Sequence, residues 1–291
     1  TYGISRDVTA RHEAQEQVAH FAEELSSINR QMHADLVLAG EMQDSLLPRE
    51  YPVFSGDGDP ERSAIRFAHV YRPAGKVGGD LLCIERLTDT KAGAFICDAI
   101  GHGVRSALLT ALVYSLFHEL APRAQDPAHL LQQLNQRLRK MMEAAPDIVF
   151  ATACYATVDH ETGELAWASA GHPPPDILCS KSGALEHTDP DHVPVGPALV
   201  LLPNSEYKTT QRVLAPGNRV IMVTDGFPET HNPEGEEYGE ERLCAQLQHH
   251  ASTAPQEMLN NVLADAESFR GDAPLEDDMC ALCMELAHIN S

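Results

Sequence analysis

The amino-acid sequence first shows a long stretch of regularly spaced apolar residues. From Val18 onward they recur alternately three and four positions apart, and Asp35 is the one polar interruption. Residues 1–47 contain no proline, and Gly40 is the only helix-breaking residue within the repeat. The apolar positions are Val18, Phe21, Leu25, Ile28, Met32, Ala39, Met42 and Leu46. This period predicts a helix at 12–47 that pairs with a second copy in a parallel coiled-coil dimer. A single amphipathic helix on the surface of its own domain is the alternative.

Downstream of this helix, short apolar runs alternate with turn-forming residues. Pro48 and Pro52 end the helix, and residues 55–63 form a polar linker. The pattern predicts strands at 66–73, 79–87, 91–100, 148–159, 163–171, 175–180, 219–226 and 277–286, and helices at 103–120, 127–144, 238–250 and 255–269. Strands and helices in blocks, without strict alternation, indicate an α+β layered fold over antiparallel sheets. One domain, residues 48–288, contains all of them.

The charge of the chain narrows the range of its partners. The 291 residues include 21 Lys and Arg against 43 Asp and Glu, which gives a formal net charge of −22. Such a surface repels nucleic-acid phosphates and anionic lipid, so we expect neither as a partner. The sequence has no signal peptide and no apolar run of membrane-spanning length, which predicts a cytoplasmic protein without membrane insertion.

The seven cysteines are mostly in apolar surroundings, and Cys280 and Cys283 form the one C-x-x-C pair. This pair falls in a predicted strand, where residues three apart point to opposite faces. No second pair completes a zinc site, and the fifteen histidines show no metal-ligand spacing. We therefore interpret the cysteines as small core residues of a protein in a reducing compartment.

Aspartates recur where strongly apolar strands begin or end. Asp80 follows two glycines, Asp98 ends the run FICD, Asp225 ends RVIMVTD, and Asp277 and Asp278 begin the last strand. A single Asp-Gly pair would be an ordinary turn. Four such places in one domain suggest that the carboxylates converge on a cation, since clustered carboxylates otherwise repel one another.

An all-aspartate cluster without His or Cys ligands suits Mg²⁺ or Mn²⁺. Five carboxylates exceed what one such ion needs, so two ions that share a bridging aspartate are the better interpretation. Two such ions lower the pKa of a bridging water and stabilise in-line displacement at phosphorus. The residues themselves therefore predict a two-metal centre for phosphoryl hydrolysis.

Six ordered motifs then resemble the metal-dependent 2C-type protein phosphatases, and more closely their SpoIIE/RsbU-like bacterial branch. They are VGGD (77–80), CDAIGHGVRSALL (97–109), SAGHPPPDIL (169–178), VPVGPA (193–198), VTDGFPET (223–230) and EDDMCAL (276–282). MQDSLLP (42–48) resembles the entry helix of that branch, and residues 1–11 resemble the end of a PAS sensor domain that leads into a signalling helix.

The resemblance implies an αββα sandwich with a metal cleft at one end. It implies a serine/threonine phosphoprotein phosphatase that depends on two Mn²⁺ or Mg²⁺ ions, and whose substrate is a phosphorylated STAS-type anti-sigma-factor antagonist. Carried over by position, Asp80 would bridge the two ions, with Asp98 and the Ala99 carbonyl near it. Asp225 and Asp277 would bind one ion from the other side.

For other residues the resemblance leaves two interpretations open. Asp278 is a second-ranked metal ligand. His102 is either the general acid for the leaving serine oxygen or a histidine held by local backbone. Arg72 or Lys76 either neutralises the substrate phosphate or is a solvated loop charge. Residues 171–173, Gly-His-Pro, are interpreted as a structural turn.

Two positions depart from the pattern of the branch. Cys83 replaces the last acid of the G-G-D motif, and Cys280 replaces a threonine in the closing strand. Glu85 is on the same strand face as Cys83 but is not expected to compensate. A degenerate phosphatase-fold domain that binds a partner without catalysis is therefore the alternative to an active enzyme. A metal-dependent hydrolase of small phosphoesters or nucleotides is a third interpretation.

Overall fold

The structure, a computed structural model, describes residues 9–101, 103–124, 126–144, 149–188 and 193–287, with side chains from residue 17. The helices are α1 (Thr9–Asp44), α2 (Val104–Leu120), α3 (Pro127–Met141), α4 (Glu240–His249) and α5 (Pro255–Arg270). The longer strands are β1 (Ile65–Arg72), β2 (Asp80–Arg86), β3 (Lys91–Ala99), β4 (Ala151–Asp159), β5 (Glu164–Ala170), β10 (Arg219–Val223) and β11 (Met279–Leu286). The short strands are β6 (Asp176–Leu178), β7 (Leu185–Glu186), β8 (Val195–Gly196) and β9 (Thr210–Val213).

The strands form two sheets. Sheet 1 has the order β1-β11-β10-β6-β7, and all of its pairs are antiparallel. Sheet 2 has the order β2-β3-β4-β5-β8, and β9 also pairs with β5. The β5–β8 pair is parallel and the other pairs of sheet 2 are antiparallel. Sequential hairpins thus build most of sheet 2, whereas sheet 1 joins the first and last strands of the domain.

Three apolar clusters show that the domain has four layers. One cluster joins the outer face of sheet 2 to α2 and α3, through residues such as Phe95 and Leu134. A second fills the space between the sheets, where Leu82 and Leu282 lie. The third joins the outer face of sheet 1 to α4 and α5, with Met258 at its centre. The order helix, sheet, sheet, helix is the predicted αββα sandwich, and the prediction is confirmed.

Helix α1 has two different environments along its length. Its first part exposes the predicted apolar repeat: Val18, Phe21 and Leu25 are 65–68% exposed. Its last turns lie against the domain: Gly40 is so close to the loop at Lys76 that a β-carbon on it would clash with the Lys76 carbonyl oxygen. The helix is thus confirmed, while the coiled-coil dimer stays a prediction. Of the predicted sensor remnant at 1–11, residues 1–8 lie outside the described residues.

Most predicted elements are present, with changed ends. Helix α3 ends at Met141 instead of 144, and β4 begins at Ala151 instead of 148. The strands β7, β8 and β9 were not predicted, because two to four residues are too few to show an alternating pattern. Within the described residues, no helix is both long enough and apolar enough to cross a membrane.

The cysteine prediction is confirmed for five of the seven residues. Those buried are Cys83, Cys97, Cys154, Cys280 and Cys283. The C-x-x-C pair splits as expected, with Cys280 between the sheets and Cys283 on the side of α4 and α5. Cys179 and Cys244 are partly exposed, which differs from the prediction, because they flank the short strands at the edge of sheet 1.

Candidate functional site

Asp80 and Asp98 lie side by side at one end of sheet 2. Strands β2 and β3 are antiparallel, and Asp80 is directly opposite Asp98 in their register. Side chains alternate along a strand, and Leu82 and Ile96, two residues inward, lie between the sheets. Both carboxylates therefore point toward the same inter-sheet space, where Asp80 is only 3% exposed.

Sheet 1 brings its aspartates to the same end. Asp225 follows the end of β10, and Asp277 and Asp278 precede the start of β11, its antiparallel neighbour. The Thr224 N–H donates to the Cys280 carbonyl oxygen at 2.9 Å, which closes the strand pair at this point. Asp278 is buried, Asp277 is half-buried and Asp225 is exposed. The structure therefore brings together the four places that the sequence singled out.

Thr224 connects the two sheets at this site. Its hydroxyl donates to Asp80 Oδ2 at 2.7 Å and accepts from the Cys280 N–H at 3.0 Å. The Asp278 and Cys280 carbonyl oxygens lie farther from this hydroxyl, at 3.3 and 3.4 Å, so Asp80 is its nearest acceptor. Thr224 thus fixes the orientation of the Asp80 carboxylate from the opposite sheet.

Asp278 anchors the loop that leads into Asp80. Its Oδ1 accepts from the Ala74 N–H at 2.7 Å. Its Oδ2 accepts from the Gly79 and Asp80 N–H groups at 2.6 and 3.2 Å. Its place as a metal ligand stays a prediction. In the structure, Asp278 on sheet 1 holds the loop of residues 74–80, which leads into sheet 2, through these three hydrogen bonds.

The electrostatics show that these carboxylates interact strongly. Burial raises the pKa of Asp80 well above its usual range, and the carboxylates of Asp98, Asp278 and Asp277 raise it further. Burial also raises the pKa of Asp98 to about 7, with further contributions from Asp225 and Asp277. Ionising Asp80 and Asp98 beside the other carboxylates is thus unfavourable, and a nearby divalent cation would offset that repulsion.

The donor set and the local backbone fit a hard cation. No three His, Cys, Asp or Glu side chains of the described residues already surround one point as metal ligands would. The carboxylates nevertheless supply only oxygen atoms, which Mg²⁺ and Mn²⁺ prefer. Glycines let the backbone segments that carry the aspartates approach closely: a β-carbon on Gly79 would lie 2.7 Å from the Ala99 carbonyl oxygen, and one on Gly226 would clash with the Asp278 backbone. The oxygen donors present therefore fit the predicted metal. The Ala99 side chain packs on the outer face of sheet 2, so only its carbonyl could contribute, and that role stays a prediction.

Other predicted site residues lie elsewhere. Arg72 pairs with Glu267 of α5 at 3.2 Å, and Lys76 is exposed in the loop beneath α1. Glu85 pairs with His118 of α2 at 2.9 Å, on the outer face of sheet 2, so it does not replace the acid missing at Cys83. This agrees with the expectation from the sequence.

Two further residues bear on the remaining predictions. Cys280 lies between the sheets, and burial beside Asp80 raises the pKa of its thiol well above the usual range. His102 lies outside the described residues, so both of its interpretations stay predictions.

Gln43 is a contact residue that the sequence reasoning missed. From the last turn of α1, its Nε2 donates to the Gly78 carbonyl oxygen and its Oε1 accepts from the Gly78 N–H, both at 2.8 Å. Nε2 also lies 3.3 Å from the Thr110 hydroxyl on α2. The quoted motif MQDSLLP contains Gln43, but its partner is 35 positions away and only the fold reveals it.

A cavity of about 500 Å³ opens beside Asp225. Its floor is apolar, with Ile221 and Leu243, and Glu229 and Glu240 are among the carboxylates on its wall. The cavity is large enough for part of a bound molecule to lie next to Asp225. The site is therefore a carboxylate-lined cleft that extends into a pocket at the surface.

Comparison with known proteins agrees with this arrangement. The family model of stage II sporulation protein E (SpoIIE) matches residues 88–287. The phosphoserine phosphatase RsbU of Bacillus subtilis (strain 168) is 23% identical over 262 residues, which cover 89% of this chain and 72% of RsbU.

Solved structures show the same fold. The PP2C domain of SiaA from Pseudomonas aeruginosa superposes with a TM-score of 0.72 at 23% identity, covering 89% of this chain and 99% of that chain. RsbX in complex with magnesium superposes with a TM-score of 0.54 at 15% identity, covering 76% of this chain and 94% of that chain. The sheets, the clustered aspartates and the family match lead to one conclusion: this chain belongs to the SpoIIE family.

Proposed function

We propose that this protein is a metal-dependent serine/threonine phosphoprotein phosphatase. The observation that carries the proposal is the pair of facing carboxylates, buried Asp80 and half-buried Asp98, whose pKa values are raised by burial and by the neighbouring aspartates at the same end of the sandwich. Such an arrangement costs folding free energy unless a cation is bound there. The family match and the phosphatase relatives agree with it.

In this proposal the five aspartates and the Ala99 carbonyl hold two Mn²⁺ or Mg²⁺ ions. The ions supply an activated water and neutralise charge that develops on the phosphate. Asp80, which is 3% exposed and lies opposite Asp98, would be the ligand that the two ions share, as the family resemblance implies. Asp98 binds from sheet 2, and Asp225 and Asp277 bind from sheet 1. Asp278 acts chiefly by holding the loop of Asp80.

The reaction exchanges one bond at phosphorus for another. A water oxygen forms a bond to phosphorus while the bond between phosphorus and the serine or threonine oxygen breaks. The leaving oxygen takes a proton, and His102 is our candidate donor. The products are inorganic phosphate and the dephosphorylated protein.

The first experiment is hydrolysis of a phosphoserine peptide with and without Mn²⁺. We expect turnover that requires Mn²⁺ and is lost in Asp225→Ala. Asp89→Ala is the matched control, because the Asp89 side chain is 99% exposed and remote from the cleft. Equal turnover in Asp225→Ala and wild type would overturn the proposal. Mn²⁺ binding by calorimetry without turnover would instead favour the partner-binding alternative.

We propose a phosphorylated STAS-type regulatory protein as the natural substrate. The support is the resemblance to the RsbU-like branch together with the strongly acidic surface, which excludes phosphorylated nucleic acid as a partner. A substrate panel tests this, with the phosphorylated protein against its phosphopeptide and against small phosphoesters such as nucleotides. Preference for the small phosphoesters would indicate a metal-dependent hydrolase of small phosphoesters or nucleotides instead of a protein phosphatase.

We also propose a homodimer through α1. The exposed side chains of Val18, Phe21 and Leu25 form an apolar stripe with the period of a coiled coil. Burying such a stripe against a second copy removes apolar surface from water. Leu25→Glu should convert the dimer to a monomer in sedimentation experiments, whereas Glu24→Lys, at an exposed position outside the stripe, should not.

Helix α1 is also the proposed route by which an upstream sensor controls the site. Gln43 joins its last turn to Gly78, two residues before Asp80, and Gly40 seats the helix on Lys76. A rotation or shift of α1 would therefore move the loop that carries Asp80. Cysteine crosslinks that lock the two helices in different registers should give different turnover.

The Gln43 contact offers a second test of the same control. Gln43→Ala should uncouple turnover from the crosslinked register, whereas Gln31→Ala, on an exposed part of the helix, should not. Equal turnover in every register would contradict this control mechanism.

A further inference from the structure

His172 is a fully buried histidine that has no part in the proposed chemistry. It follows β5 and is only 2% exposed. Its Nδ1 lies 3.1 Å from the Thr152 hydroxyl on β4. Its Nε2 makes no hydrogen bond, and the backbone of Val223 on β10 is its polar neighbour. The ring therefore lies between sheet 2 and sheet 1, with one nitrogen toward each.

Thr152 belongs to the same row of residues as the two buried aspartates. Across sheet 2, Asp80 is opposite Asp98, and Asp98 is opposite Thr152. Directly opposed residues of antiparallel strands point to the same face, with β-carbons about 4.5–5.5 Å apart. The row therefore runs from Asp80 through Asp98 and Thr152 to His172, at the end of the sandwich where the cleft lies.

The contacts of His172 select one arrangement of protons. Burial lowers the pKa of His172 to about 4, so the ring is neutral at physiological pH. A neutral imidazole has one donor and one acceptor nitrogen. Because Nδ1 faces Thr152, Nε2 is the nitrogen left to face the Val223 backbone, whose interaction raises the pKa of the ring as an accepting carbonyl does. The proton therefore belongs on Nε2, and Nδ1 accepts from the Thr152 hydroxyl.

We propose that His172 is a positioning residue for Asp98. By accepting the Thr152 proton, it keeps that hydroxyl from donating to the neighbouring carboxylate, so the oxygens of Asp98 stay available for a cation. By filling the space between Thr152 and Val223, it also keeps the two halves of the aspartate cluster at a fixed separation. The inference rests on the proposed metal-dependent function. It gives the Gly-His-Pro turn a role beyond shaping the sheet.

The first test is the protonation state of the ring, which does not depend on activity. Nitrogen NMR of the histidines should show His172 as the Nε2–H tautomer, neutral down to about pH 4. Thr152→Val removes the hydroxyl that bonds Nδ1 while keeping the shape of the side chain, and should shift the Nδ1 resonance. An Nδ1–H tautomer in the wild-type protein would overturn the inference.

The second test is Mn²⁺ binding measured by calorimetry. Losing a residue that orients a metal ligand typically weakens metal affinity roughly ten- to a hundredfold. We expect that loss for His172→Phe, which leaves the Thr152 hydroxyl free to donate to Asp98, and near wild-type affinity for Thr152→Val, which has no hydroxyl to donate. The double variant Thr152→Val/His172→Phe should bind Mn²⁺ more tightly than His172→Phe alone, because the competing hydroxyl is absent, so the two changes are not additive.

Ser169→Ala is the matched control for this experiment. Ser169 is buried on β5 and its hydroxyl donates to Cys154 Sγ at 3.5 Å, in the same strand pair but farther from the cleft. It should leave Mn²⁺ affinity unchanged even if it lowers the melting temperature. Wild-type Mn²⁺ affinity in His172→Phe, or a double variant that binds no better than His172→Phe, would overturn the inference about His172 alone. A wild-type protein that binds no Mn²⁺ would overturn the proposed function and this inference with it.

Discussion

The two ends of the β10–β11 strand pair differ in how their charged side chains are arranged. At one end, Arg219 and Glu285 face each other in register, and their side chains meet at 2.7 Å while each is about nine-tenths buried. Arg219 also donates to the Thr253 carbonyl, and Arg66 lies 3.4 Å from Glu285. Every buried charge at this end has a partner of opposite sign.

The other end of the same two strands concentrates charge of one sign. Asp225, Asp277 and Asp278 meet the carboxylates of Asp80 and Asp98 there, and burial together with the neighbouring carboxylates raises the pKa values of Asp80 and Asp98. A buried ion pair is a structural device, whereas a buried group of like charges is unfavourable until a ligand arrives. The comparison predicts that substitutions at the two ends will have opposite effects on stability.

The largest effect should come from Asp80→Asn. This change removes a buried carboxylate that is proposed to bind both ions, so Mn²⁺-dependent turnover should fall at least about a thousandfold, equivalent to roughly 4 kcal/mol of transition-state stabilisation. In metal-free protein the same change removes a carboxyl group whose ionisation is disfavoured by burial and by Asp98. The melting temperature in the presence of a chelator should therefore rise, by roughly 2–4 °C if the gain is about 1 kcal/mol. A lower melting temperature would show that Asp80 is compensated within the protein.

The opposite end should respond in the opposite sense to Arg219→Met. This variant keeps the aliphatic stem but leaves Glu285 buried beside only the more distant Arg66, so the free energy of unfolding should fall by about 3 kcal/mol. Urea denaturation measures the loss, and turnover under native conditions should be unchanged.

The exposed pair Arg212–Glu186, at 3.2 Å, provides the control for that comparison. Arg212→Met should change the free energy of unfolding by no more than about 0.5 kcal/mol. Equal losses in the Arg212 and Arg219 variants would show that burial adds nothing to the Arg219 pair.

A smaller effect is expected from Thr224→Val. The Thr224 hydroxyl orients Asp80 across the two sheets, so its loss should weaken Mn²⁺ affinity roughly ten- to a hundredfold. Thr224→Ser keeps both hydrogen bonds and should bind Mn²⁺ as the wild type does. Calorimetry compares the three proteins. If Val and Ser variants bind equally, the orientation of Asp80 does not depend on this hydroxyl.

The sequence predicted the end of the sandwich with the clustered aspartates better than the end with the Arg219–Glu285 ion pair. Asp80, Asp98 and Asp225 stand at the ends of apolar strands, the first and last of them next to a glycine, and this local pattern is visible without a fold. The Arg219–Glu285 pair gives no such signal, because its members are 66 positions apart and each is an ordinary charged residue in a strand.

The same limit applies within the site. Thr224 reaches Asp80 over 144 positions, and the Asp278 contacts with the loop span about 200. Such partners follow from strand order and register, which single-strand patterns do not specify. Amphipathic periodicity predicted the layers and the longer elements, whereas the residues that orient the aspartates required the fold.

A further expected effect is a pH dependence of stability in metal-free protein. The pKa of Asp98 is 3.8 as an ordinary carboxyl and about 7 in the folded state. Between these values the folded state retains a proton that the unfolded state has released. The contribution of Asp98 to the free energy of unfolding is therefore fully present below about pH 4 and is lost as the pH rises through about 7. Asp98→Asn should remove this part of the slope, so urea denaturation of both proteins from pH 4 to 8 isolates it.

Saturating Mn²⁺ should reverse that dependence in the wild type, because the cation binds the ionised carboxylate and competes with the proton. Stability should then rise with pH over the same range. Arg219→Met should retain the metal-free slope at its lower overall stability, since its charge lies at the other end of the strands. If the free energy of unfolding of the wild type depends on pH in the same way with and without Mn²⁺, Asp98 does not bind the ion. The proposed difference in function between the two ends of the strand pair would then be wrong.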